Sequence, residues 1–194
     1  MNAISTEALT LDDLMSLTGR QLHRILDAAH PFDEDAVAGH HFVGADLSMP
    51  ALGHKLLWQT FRKSFVRDEQ HGDVRGWNTR MEQRGIHGAQ VPMLRRDGSD
   101  KTFAHYRVRD ARTQRWPRGW HGEQYLDYKV AGNGIGDRWT FTPLVAVNEG
   151  SSELLLGWEI FKVAGRLISP SMYWALQRGG PVEQPVAPKH APSL

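Results

Sequence analysis

Hydrophobic and polar positions alternate most clearly between Leu154 and Leu176, on both sides of Ala164-Gly165. Leu154, Leu156, Trp158 and Ile160 fall on one face of an extended chain, and Leu155, Gly157, Glu159 and Phe161 on the other. Beyond the glycine, Ile168, Pro170, Met172, Trp174 and Leu176 share a face opposite Ser169, Ser171, Tyr173 and Gln177. A period of two is the signature of a strand, because successive side chains point to opposite sides of a sheet. Gly165 supplies the positive φ that a two-residue hairpin loop requires. The pattern predicts an antiparallel hairpin, with 166–177 paired to 154–163 and both Trp158 and Trp174 buried.

Elsewhere the same period recurs in shorter runs. Gly39–Leu47, Val74–Arg84, Glu123–Val130 and Trp139–Val147 read as strands, the last with Trp139, Phe141, Val145 and Val147 on one face. Val91–Arg96 and Lys101–Arg109 flank Asp97-Gly98, a strong hairpin signal. Lys55–Val66 fits two periods. Phe61 and Phe65 suit a helix, while Leu57, Gln59, Phe61, Lys63 and Phe65 suit one strand face, so a helical turn leading into a strand is expected.

The N-terminal stretch differs. Thr10 reads as a helix N-cap with Asp12 and Asp13 in the first turn, and Leu14, Leu17, Leu22, Ile25 and Leu26 recur near helical spacing until His30-Pro31. One amphipathic helix is predicted at 10–29, lying over an end or opening of the β-structure. After Gly179 the chain turns Pro-rich, and 180–194 reads as a disordered tail. The expected organisation is mainly β: one domain over 1–179, built as an antiparallel barrel or strongly curved sheet with a single N-terminal helix.

Composition removes several functions and selects none. The 194 residues carry a net charge of +1, so no global field dictates a polyanionic partner. Without cysteine there is no disulfide framework, thiol nucleophile or thiolate metal site. Met1–Glu7 lacks the basic and apolar regions of a secretion signal, and no apolar run reaches membrane-spanning length. A soluble cytoplasmic protein is expected; its oligomeric state is left open.

Three groups of residues together resemble a known layout: Leu17–Leu22 leading into Gly39-His40-His41-Phe42-Val43-Gly44; then Trp58 with Phe61-Arg62-Lys63-Ser64-Phe65; and finally Tyr125-Leu126-Asp127-Tyr128 with Leu155-Leu156-Gly157-Trp158. This is similar to uncharacterised bacterial calycin-like (lipocalin-like) barrel proteins. Gly39-His40-His41 stands where true lipocalins carry Gly-x-Trp on the first strand. The resemblance implies an antiparallel calycin-like barrel whose cup holds a small apolar or lipid-like ligand without covalent chemistry.

His40 and His41 are adjacent on a strand and so point to opposite faces, which disfavours a shared metal even with His54 nearby in sequence; a haem with one axial histidine inside the barrel is the alternative. Ordinary surface or hydrogen-bonded histidines are expected, with no metal and no cofactor. Asp127, between Tyr125 and Tyr128 and with Arg138 downstream, suits either a rim ion pair or a desolvated carboxyl inside a cup. Trp58, Asp127, Tyr128, Arg138, Trp158 and Tyr173 are the expected ligand-binding residues. An enzyme using Asp127 with a tyrosine as acid and base is the alternative. A third reading places a polyanion or membrane surface on the arginine-rich region Arg75–Arg118, around Arg115-Trp116-Pro117-Arg118-Gly119-Trp120. Its plainer counterpart is a solvated face with Trp116 and Trp120 packed back on the barrel, and no specific nucleic acid is expected.

Overall fold

The structure, a computed structural model, describes residues 8–48 and 59–188. Its strands are β1 (His40–Asp46), β2 (Thr60–Arg67), β3 (Val74–Arg80), β4 (Thr102–Asp110), β5 (Gln124–Asp127), β6 (Thr140–Asn148), β7 (Ser151–Trp158), β8 (Ile160–Val163), β9 (Arg166–Ile168) and β10 (Tyr173–Pro181). Eight of them close an antiparallel barrel in the order β5-β4-β3-β2-β1-β10-β7-β6, with β5 pairing back onto β6. Closure leaves the barrel without an open edge strand, the short β5 being supplemented by Asn133 at His105 and by His30 at Ala146. The architecture is the antiparallel barrel expected from the alternation, and it matches the calycin-like form that the resemblance implied.

The terminal hairpin forms, but in two pieces. Tyr173 pairs with Trp158 and Leu176 with Leu155, so β10 and β7 build the barrel wall. Glu159 interrupts the strand, and β8 then pairs with the start of β6, Ile160 with Phe141 and Phe161 with Thr140. β8 and β9 continue as a small ribbon through Ala164 and Gly165, whose φ values of 48° and 78° suit a primed hairpin turn. Trp158 is 0% and Trp174 5% exposed, as predicted.

The predicted single helix is two: α1 (Leu11–Met15) and α2 (Gly19–Ala28). Each begins with a reciprocal capping box, Thr10 with Asp13 and Thr18 with Gln21. The second box restarts the helix at Gly19. Leu11, Leu14, Leu22 and Leu26 pack on the outer surface of β6, β7 and β10 with Val145, Leu156, Trp158 and Tyr173, so the pair covers a wall rather than an opening. The end of the barrel is closed instead by Phe32 and the short α3 (Glu34–Val37), whose Val37 meets Phe42, Phe65, Leu144, Leu155 and Leu176.

Inside the barrel three glycines face aromatic residues across the ladder: Gly44 opposite Phe61, Gly76 opposite Tyr106, and Gly157 opposite Trp174. In each pair the ring lies over the glycine, where any Cβ would overlap it. The absence of a side chain on one strand makes room for the ring from the next. A bulge at Ala104, with φ of 43°, shifts the register between β3 and β4, and the Ala104 carbonyl accepts a 2.9 Å hydrogen bond from Asn78 Nδ2.

Several boundaries differ from expectation. Trp139 lies in a 3₁₀ turn, 49% exposed, rather than on the core face with Phe141, Val145 and Val147. The Asp97-Gly98 turn is present, but its first limb makes only isolated bridges. β10 runs through Pro181 into the stretch read as tail, and the Val186 carbonyl accepts a hydrogen bond from Arg75. Residues 189–194 lie outside the described residues.

Candidate functional site

The mouth of the barrel lies at the end opposite α3, where β1, β3, β5 and β7 finish and β2, β4, β6 and β10 begin. A cavity of about 240 Å³ opens there. Phe61, Phe103, Ala104, Met172 and Trp174 give it apolar walls; Asp46, Lys63, Asn78, Tyr128, Asp137, Thr140 and Glu159 supply polar groups.

Lys63 is the centre of this site. On β2 it alternates with Arg62 and Ser64, and it shares the inward face with Phe61 and Phe65. It is 2% exposed. Its Nζ donates to Asn78 Oδ1 at 2.7 Å and to the Tyr128 hydroxyl at 2.5 Å. Four rings surround the nitrogen, with centroids 4.7 Å (Trp174), 4.8 Å (Tyr106), 5.1 Å (Tyr128) and 5.6 Å (Phe61) away. Their faces and the nearby Glu159 favour the ammonium. Loss of hydration opposes it more strongly and lowers the group from the usual 10.5 to about 7.

Glu159 stands where the chain leaves β7, on the inward side with Gly157. It keeps some accessible surface but lies deep in the protein mass, and burial raises its carboxyl above the ordinary range. Lys63 pulls it back down, Asp46 raises it further, and the Trp174 side chain hydrogen-bonds to it. Asp137 is raised for the same first reason, burial, and Arg80 acts against that. Tyr128 is held well above its ordinary range by burial and then by Glu159. The site therefore combines an amine that loses its proton more easily than usual with two carboxyls, Glu159 and Asp137, that burial shifts upward, next to buried phenols. Such a set can bind a neutral polar group or exchange protons with it.

Of the residues expected to bind ligand, Tyr128 lines the cavity. Trp158 and Tyr173 belong to the outer wall under α2: His23 packs on the Trp158 ring at 4.7 Å, and Trp158 Nε1 donates to the Pro170 carbonyl. They fail as cup residues because both faces of this hairpin are covered, one by helices and one by the barrel interior. Asp127 alternates outward from Leu126 and accepts from the Lys129 amide, away from the cavity lining. Arg138 is exposed, and Trp58 lies outside the described residues. Lys63 and Glu159 were missed as site residues, although the spacing Phe61-x-Lys63-x-Phe65 already placed Lys63 on the face of two aromatics.

The other candidate residues make the following contacts. His41 Nδ1 meets Ser64 Oγ at 2.7 Å and His40 Nδ1 meets the Ala38 carbonyl at 3.3 Å. Among the described residues no group of three or more His, Cys, Asp or Glu is placed to hold a metal ion. In the arginine-rich region, Arg107 pairs with Asp68 and Asp73, Arg109 with Asp73, Arg112 with Asp110, and Arg84 with Glu82. Trp116 and Trp120 pack inward against Tyr125 and the helices, at 7% and 3% exposure. Among the described residues no helix is long and apolar enough to cross a membrane.

Compared with protein-family models, curated proteins and solved structures, the chain matches none.

Proposed function

We propose that this protein binds a small, largely apolar and uncharged molecule in the barrel cup, with its polar end at Lys63. The observation that carries this reading is the mixed cavity itself, with aromatic walls around a single buried amine. Ligand sites are typically concave, mostly apolar and equipped with a few placed polar groups. A dry cavity of about 150 Å³ holds benzene. The 240 Å³ here suits a single ring with a short polar substituent better than a long acyl chain.

Charge narrows the class. The lining has three carboxyl groups, Asp46, Asp137 and Glu159, against one amine. Burial disfavours the charged forms of Lys63 and Glu159 alike, so an anion or a cation would lose its own hydration and find little opposite charge to replace it. A neutral ligand with a carbonyl or hydroxyl avoids both costs.

Thermal unfolding with toluene, benzyl alcohol, benzoate and benzylamine tests this. Binding to the folded state alone raises the melting temperature with ligand concentration. The neutral pair should raise it and the charged pair should not. An equal response to all four, or none to any, contradicts the reading.

A further inference from the structure

Lys63 is more than a hydrogen-bonding post. We propose that it is a covalent site, which captures a small aldehyde or ketone as a reversible imine inside the cup. This rests on the cup being a ligand site, as argued above, and adds the class of ligand and the bond it forms.

The geometry supports it in three ways. Nζ has two hydrogen-bond acceptors, Asn78 Oδ1 and the Tyr128 oxygen. A neutral amine has two N–H bonds, so it can serve both acceptors and keep its lone pair free. Lys63 itself forms part of the cavity lining, so a ligand in the cup touches the amine end of the site. The groups that face it from other strands are Tyr106 on β4, Tyr128 just beyond β5, Glu159 beyond β7 and Trp174 on β10, with Asp46 and Asp137 at the rim. Desolvation of the amine in this setting favours its uncharged, nucleophilic form.

The step balances without an external oxidant or reductant. The Nζ lone pair attacks the carbonyl carbon, and the C=O π pair moves onto oxygen. That oxygen takes a proton from Glu159 in its acid form, and the nitrogen returns one to the Glu159 carboxylate. The same carboxyl then protonates the hydroxyl of the adduct. Water leaves, the C=N bond forms as an iminium, and for a neutral imine the nitrogen's remaining proton returns to the Glu159 carboxylate. Amine plus carbonyl gives imine plus water. The Trp174 ring over Gly157 closes the site on one side and limits the ligand to a small one.

Reductive trapping tests this on the full chain. The protein is incubated at neutral pH with benzaldehyde and cyanoborohydride, and the modified lysines are mapped by peptide mass spectrometry. The exposed Lys129 and Lys162 serve as internal references. Lys63 should gain one benzyl group at least tenfold faster than either, and excess toluene should suppress its labelling alone. Lys63→Met should lose the fast labelling, while a melting-temperature rise with toluene shows that the variant still folds with its cup. Wild-type mapping keeps the test valid if that variant does not fold. Labelling of Lys63 no faster than the references, with toluene still bound, overturns the imine and leaves the cup standing. Failure of both labelling and toluene binding overturns the cup as well.

Discussion

Trp158 and Trp174 sit on the two faces of one β-ribbon and have almost the same exposure, yet their surroundings have little in common. On the outer face, Trp158 is enclosed by α2, Tyr173 and Ile160, its indole N–H is satisfied by the Pro170 carbonyl, and Arg118 lies over its ring at 5.3 Å. On the inner face, Trp174 covers Gly157 and borders an open cavity, with the Lys63 nitrogen 4.7 Å from its centroid. The outer face is packed to exclude everything. The inner face keeps a void beside an amine that is costly to bury. A fold gains nothing in stability from such an arrangement, and this is why the proposed ligand site is placed on the inner face.

The largest expected effect separates the two indoles. Trp158→Ala opens a hole in a filled layer and should cost about 3–5 kcal/mol, a large part of a typical domain's total. Trp174→Ala should cost less, about 2–3 kcal/mol, because one side of its ring already lacks packed neighbours. Urea unfolding of both variants measures the gap. The Trp174 variant should also accept larger neutral ligands. Equal losses would mean that the cup is packed shut in solution.

Gly157→Ala sharpens the contrast on the inner face. The new methyl overlaps the Trp174 ring and must displace it. A cost of about 1–3 kcal/mol is expected, as for other overpacked positions. The ring would be pushed toward the cup, so toluene binding should fall along with stability. Loss of stability with unchanged binding would place Trp174 elsewhere.

A further effect is electrostatic. The folded-state Lys63 lies near 7, below its unfolded value of 10.5. Between these pH values the unfolded chain holds a proton that the folded chain has released, so this group makes stability rise with pH across that window. Below pH 7 both states are protonated and the cost of burying the charge is fully present. Lys63→Met should remove this rise, which is read by comparing urea midpoints of wild type and variant from pH 7 to 10. An unchanged slope would show that Lys63 titrates normally and is hydrated.

Much of the fold was legible in the sequence, for a physical reason. Alternation survives wherever one strand separates two environments, and Leu154–Leu176 has that pattern throughout. The alternation could not say which face points inward. In an open sheet the apolar face is the core, but here α1 and α2 bury the outer wall as thoroughly as the barrel buries its interior. Trp158 and Tyr173 were therefore assigned to the cup on a pattern that fits either side. Asp127 followed the same error: its neighbours Leu126 and Tyr128 are the inward residues. The break between α1 and α2 was written in Thr18 and Gln21, a capping pair that a continuous leucine stripe obscured. Lys63 was hidden by its type. A lysine on an apolar strand face reads as a surface residue of a mixed segment until closure of the barrel removes the surface.

The most direct test of a working inner face is the carbon-13 resonance of the Met172 methyl group during titration with toluene. Met172 lines the cup, whereas Met81 is buried away from it and Met15 and Met93 are exposed. A saturable shift of Met172, with Met81, Met15 and Met93 unmoved, is the predicted result. An unmoved Met172 up to the solubility limit of toluene, or parallel shifts at the exposed methionines, would contradict the account.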